Sequence, residues 1–114
     1  MQQNPLMPLV FEAIALRKCL DAVYNGGTVR LAPHLLFTRH DELYLAAATL
    51  IRDGQPPREP KLGTFKLTGL KELALTQDQF RPLPGYDPAG PPAPAETLFA
   101  LELEPDERLM SLNA

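Results

Sequence analysis

The sequence predicts a mainly β (α+β) fold. We expect a small, partly open barrel of short antiparallel strands, led by one short helix and followed, across a proline-rich linker, by a C-terminal strand. Three observations carry this. Residues 18–76 alternate apolar and polar side chains in short runs broken by turn residues. Asn25-Gly26-Gly27 is a strong reversal signal, because Asn and Gly tolerate positive φ. Six of the fourteen residues 82–95 are proline, and strand-like alternation resumes at Thr97.

The elements follow in chain order. Pro8 suits a first helical turn, where its missing N–H is no loss. Leu9, Ala13 and Leu16 share one helical face, with Val10 and Ile14 beside it, so residues 8–17 read as a helix. From Lys18 the period changes to two, and Leu20, Ala22 and Tyr24 fall on one side of a strand. Val29, Leu31, Leu35 and Phe37 continue on one face after the turn. Pro33 interrupts that strand, which places it at an edge or bulges it there. Arg39-His40-Asp41-Glu42 reads as a polar turn, and Leu43, Leu45, Ala47, Thr49 and Ile51 as the next strand. Gly54 and three prolines make residues 53–60 a loop. Residues 62–68 give a strand with Phe65 and Leu67 on one side. Residues 70–76 give another strand or a helical turn, and Phe80 closes the compact part. Phe37, Leu45 and Phe65 should turn inward together. The organisation is then a barrel domain over residues 1–81, a linker over 82–95 and an acidic strand and tail over 96–114.

A chain of 114 residues can bury a core without a metal or disulfide. One cysteine, Cys19, permits no intrachain disulfide and fits a reducing, cytoplasmic setting. No apolar run approaches the ~20 residues a membrane helix needs, so no membrane partner is expected. The net charge of −3 is unevenly spread. Residues 1–81 hold ten Lys/Arg against eight Asp/Glu, and residues 82–114 one Arg against six acids. An acidic tail over a slightly basic body follows. Chemistry-bearing patterns are sparse. His34, His40 and Cys19 make no zinc spacing, Gly26-Gly27 lacks a phosphate-binding context, and nothing identifies a Cys19–His34 dyad. The expectation is no enzyme, no metal and no cofactor.

Tyr24, Pro33-His34, Leu43-Tyr44-Leu45 and Phe65-Lys66 stand in one order inside the β-rich stretch. Together with Phe80 they resemble the WYL domain, a Trp-Tyr-Leu module found mostly in bacterial regulators. The resemblance spans roughly residues 8–81. It implies an SH3/Sm-like barrel with a leading helix and a non-enzymatic, ligand-sensing or regulatory role. The ligand class it implies is a nucleotide or single-stranded nucleic acid. The residues it implies for that ligand are Tyr24, Arg30, His34, Tyr44 and Lys66. Leu43 replaces the Trp, while Gly63 and Gly69 replace family arginines. Arg30 stands three residues before Pro33 where four is the family spacing, and a one-residue slip changes the face. No helix-turn-helix is expected ahead of the first helix, so regulation would run through a partner or the ligand.

Four of these residues also have a structural reading. Tyr24 and Tyr44 suit amphipathic barrel positions, His34 a backbone hydrogen bond near Pro33, and Lys66 a solvated strand position. The alternative function is accordingly a protein-interaction or assembly module that has lost the ligand site. Its C-terminal strand, Thr97–Glu104, would close an edge in one chain or form a homodimer between two. A third expectation has Glu102, Glu104, Asp106 and Glu107 covering Arg30, Lys61 or Lys66 in imitation of an anion.

Overall fold

The computed structural model describes residues 6–107. The helix is α1, Met7–Leu16, with a proline in its first turn. Its buried stripe is Val10, Ala13 and Ile14, while Leu16 is 48% exposed, so the apolar face is turned from the expected Leu9–Ala13–Leu16 line. Arg17 ends the helix in the left-handed conformation, φ 55, and its N–H reaches the Ala13 and Ile14 carbonyls.

Strand β1, Lys18–Tyr24, begins at once and is joined to β2, Gly27–Arg39, by the two-residue turn Asn25-Gly26. Both turn residues have positive φ, 51 and 78, the geometry whose twist matches a hairpin. A second such turn, His40-Asp41, leads into β3, Glu42–Arg52. Strand β4, Leu62–Lys66, is followed by a 3₁₀ turn, Leu67–Gly69, and by β5, Lys71–Gln79. Strand β6, Glu96–Ala100, comes last. The sheet is antiparallel in the order β4-β3-β2-β1-β5, with β6 paired to β2 off that path. It bends enough for Tyr24 of β1 to meet Phe65 of β4, ring centroids 5.1 Å apart, although the two strands are not neighbours. It does not close: β4 pairs with β3 and β5 with β1, not with each other.

Pro33 is not on an edge strand, because β2 is central. It stands where one edge of β2 changes partner: β1 pairs as far as Leu31, and β6 pairs from Leu35. A residue without an N–H is tolerated where the ladder is broken. Opposite β3 the register shifts between Pro33 and Leu35, so His34 is an extra residue. That bulge corrects one expectation. Leu36, Leu45 and Phe65 form one cross-strand row, while Phe37 lies in the adjacent row with Tyr44 and Lys66, on the other face. Leu36 therefore takes the inward place expected of Phe37.

Residues 82–95 are not an extended spacer. They fold back onto β2: Leu83 N–H donates to His34 Nε2 at 2.9 Å, and Tyr86 is 3% exposed. The radius of gyration, 13.6 Å, matches the ~13 Å of a compact chain of this length. The expected strand Thr97–Glu104 is shorter and earlier, and its partner lies in the same chain. Beyond it, Leu101 and Leu103 are buried outside the strand. The final part of the expected tail, residues 108–114, lies outside the described residues. Among the described residues no helix is long and apolar enough to cross a membrane.

Candidate functional site

The outer face at the β2–β3 hairpin gathers aromatic and cationic groups around a Phe37 ring that is itself only 3% exposed. Alternation along β2 puts Phe37 and Arg39 on one side, and the tight His40-Asp41 turn sets Tyr44 opposite Phe37 and Glu42 opposite Arg39. The Phe37 and Tyr44 rings stack at 5.5 Å with 20° between their planes. Strand β4 adds Lys66 beside Tyr44. Lys66 Nζ meets Glu42 Oε2 at 2.8 Å, and this bond and charge hold the lysine pKa above its ordinary value.

Glu42 lies between two cations and takes Lys66. Arg39 is left with no carboxylate among the described residues. Its guanidinium carbon sits 5.8 Å from the Phe37 centroid, a cation–π distance. Its Nε is buried and has no hydrogen-bond partner among the described residues. Buried polar atoms are nearly always paired, and an unpaired one is destabilising by about 1–3 kcal/mol. That Nε is shut off from solvent, but the half-buried guanidinium, with no carboxylate partner among the described residues, is suited to an anion, and Tyr44 offers a ring and a hydroxyl alongside.

Of the five residues expected at a ligand site, only Tyr44 and Lys66 meet here. Tyr24 lies on the opposite face, edge-on to Phe65. A side chain at Gly69 would pass 3.5 Å from the Tyr24 ring and one at Gly63 3.6 Å from Phe65, so both glycines lie against that inner aromatic pair.

Arg30 is committed elsewhere. Its Nε and one Nη bind the two carboxylate oxygens of Asp21 at 2.7 and 3.0 Å, and its other Nη binds Asp78. The guanidinium bond lowers the Asp21 pKa. Two carboxylates outweigh one cation, so the open cleft of about 430 Å³ beside them, also walled by Glu72, has an acidic rim. Arg30 is thus corrected from anion contact to a surface ion pair.

His34 is corrected from ligand contact to a buried clasp. It is 0% exposed, with ring centroids 5.2 Å from Phe80 and 5.0 Å from Tyr86. Leu83 N–H donates to Nε2, so the proton is on Nδ1, which donates to the Ala32 carbonyl at 2.8 Å. Burial, and then the Arg17 charge, lower its pKa against the opposing pull of Ala32. Cys19 is buried too, and burial pushes its thiol pKa up, away from a nucleophile's range.

Among the described residues, the acidic tail makes no ion pair with Arg30, Lys61 or Lys66. Its cation is Arg17, which binds both Glu107 oxygens at 2.7 Å and the Glu102 carbonyl at 2.9 Å. That pair holds Glu107 down at about 2.

Sequence reasoning missed Arg39, Arg17 and Tyr86. Arg39 had one signal, its i, i+2 spacing from Phe37, which was hidden by reading 39–42 as one turn. No protein-family model, no curated protein and no solved structure matches this chain.

Proposed function

We propose that the chain is a non-enzymatic ligand-sensing module of WYL-like, SH3/Sm-like type. Its site is the outer face formed by Arg39, Phe37, Tyr44 and Lys66, and its ligand class is a nucleotide or a short single strand. The observation that carries this reading is the half-buried Arg39 guanidinium, with no carboxylate partner among the described residues, over the Phe37 ring that stacks on Tyr44. The strand order, with a 3₁₀ turn entering the last barrel strand, supports the barrel type. The site is shifted from the one the resemblance implies, since Arg30 and His34 are occupied and Arg39 takes their place.

Binding is weak. One stacked base and one or two charge-assisted hydrogen bonds, after desolvation, amount to about 4–5 kcal/mol, a Kd of roughly 0.2–1 mM. With Arg39 and Lys66 as the two phosphate contacts, the salt slope for a single strand is about −1.4. Titration of nucleotides and short oligonucleotides at low and moderate salt tests this. Arg39→Ala and Tyr44→Ala should each weaken binding about tenfold, while Tyr24→Ala leaves it unchanged. Absence of binding at millimolar nucleotide, or equal binding by wild type and Arg39→Ala, refutes the site.

A further inference from the structure

Residues 96–107 sit on the domain as a peptide sits on a receptor. Their backbone adds a short strand to the edge of β2 at Leu35–Thr38, the edge that β1 leaves after Leu31. The pairing is extended by Leu101 N–H, which donates to the His34 carbonyl at 2.7 Å. Beyond the strand, side chains alternate: Leu101 and Leu103 are buried, and Glu102 and Glu104 are exposed. The acidic end is read by Arg17 through Glu107 and the Glu102 carbonyl. A main-chain ladder, alternate side-chain pockets and a terminal charge contact are the parts of strand-addition recognition.

The connection to the rest of the chain is looser than the docking. Within β6, Glu96, Thr97 and Leu98 are exposed, with Leu98 at 43%. The hold comes from residues further along. Upstream, Tyr86 is pinned, its hydroxyl 2.9 Å from the Leu101 carbonyl and 3.1 Å from that of His34. Nine residues, 87–95, join Tyr86 to Glu96, and four are proline. At ~3.1 Å per residue in polyproline II, such a hinge reaches about 28 Å. That exceeds the 22 Å thickness of the molecule.

We infer that residues 96–107 are an exchangeable strand, and that the β2 slot takes the same segment from a second copy of this chain. The slot already fits this segment by register, by apolar spacing and by charge, since the acidic tail meets a body with more cations than acids. Reciprocal exchange keeps the β2 ladder, the burial of Leu101 and Leu103 and the Arg17 pair in both copies, and gives up the close packing of Gly90 on Thr97 and Leu35 as residues 87–95 change course. A short linker gives the intramolecular strand an effective concentration of the order of millimolar, so the closed single chain prevails in dilute solution and exchange grows as protein approaches that concentration.

The register gives the test. Thr38 and Glu96 are cross-strand partners. Full-length Thr38→Cys and full-length Glu96→Cys chains are mixed, concentrated to about millimolar, oxidised and run on a denaturing gel. Native Cys19 is buried, and Cys19→Ala in both chains removes it. The mixed 38–96 product should exceed each homo-product several-fold, and should rise with concentration. In the doubly substituted chain, dilute oxidation should give an intrachain bond that leaves the mass of one chain. A mixed product no more abundant than the homo-products, or none at about millimolar protein, overturns the inference.

Discussion

Acid should loosen this fold through His34, well before the carboxylates titrate. The ring is wholly buried, accepts from Leu83 N–H at Nε2, and faces Phe80, Tyr86 and the Arg17 charge. A second ring proton would turn that acceptor into a donor aimed at a donor. The folded-state pKa is therefore lowered, chiefly by burial. The unfolded chain, with a histidine near ~6.5, takes up the proton first, so stability falls with pH below that value and levels off only below the folded pKa. Between pH 7.5 and 5.5 the loss is about 1.4 kcal/mol if the folded ring stays neutral throughout. At a urea dependence of ~1–1.5 kcal/mol/M, the unfolding midpoint moves down by about 1 M. His34→Gln, itself destabilising because it disturbs a buried clasp, should remove most of this slope. Equal midpoints for wild type at the two pH values, or the same slope in His34→Gln, refutes the assignment of a buried neutral histidine.

Two further substitutions separate packing from surface charge. Gly90→Ala should lower stability by about 1–3 kcal/mol, seen as a drop in Tm, because φ is +79 and a new Cβ would strike Thr97 Oγ1 and approach Leu35 Cδ1 at 3.2 Å. Gly26→Ala, at φ +78 with open space around it, should lose only the backbone part; if the two variants unfold alike, residues 82–95 do not pack as described. Arg30→Ala should change stability by less than about 1 kcal/mol, since its pairs with Asp21 and Asp78 are partly exposed and screened, and it should leave nucleotide affinity intact. A tenfold loss of affinity in that variant would return Arg30 to the ligand site.

The hairpins were legible because their signals are local. Asn25-Gly26 fixes a two-residue turn, and a two-residue turn fixes the register, so Asp21 opposite Arg30 followed from the sequence as soon as Tyr24 was set against Gly27. That register neutralises Arg30 in part; its second partner, Asp78, lies 48 residues away, where no local rule reaches. Pro33 announced an irregularity but not which neighbour would be the extra residue. The bulge at His34 shifted Phe37 by one face, which broke the expected inner trio and built the outer Phe37–Tyr44 stack. Tyr44 and Lys66 on one face were readable from alternation. Arg39 was not, because its special state depends on Glu42 choosing Lys66. The fold-back of residues 82–95 left no periodic trace: proline content describes local backbone preference and is silent about Tyr86 seeking the carbonyls of Leu101 and His34.

The same two residues, Pro33 and His34, explain why the end of the chain is needed at all. Strand β1 starts directly from the helix cap at Arg17 and pairs with β2 only between Leu31 and Gly27. The rest of that edge of β2 carries Leu35, Leu36 and Phe37, all buried, and would be an uncovered row of backbone groups beside apolar side chains. Such an edge invites pairing with another chain. The missing N–H of Pro33 ends the first partnership, and the bulged His34 turns its carbonyl to Leu101 and Tyr86 and its ring to Leu83, which opens the second. Whatever detaches residues 96–107 therefore uncovers an adhesive edge at the same moment. In the exchange we infer, release of the strand and pairing with a second chain are one event, governed by the same short stretch of β2.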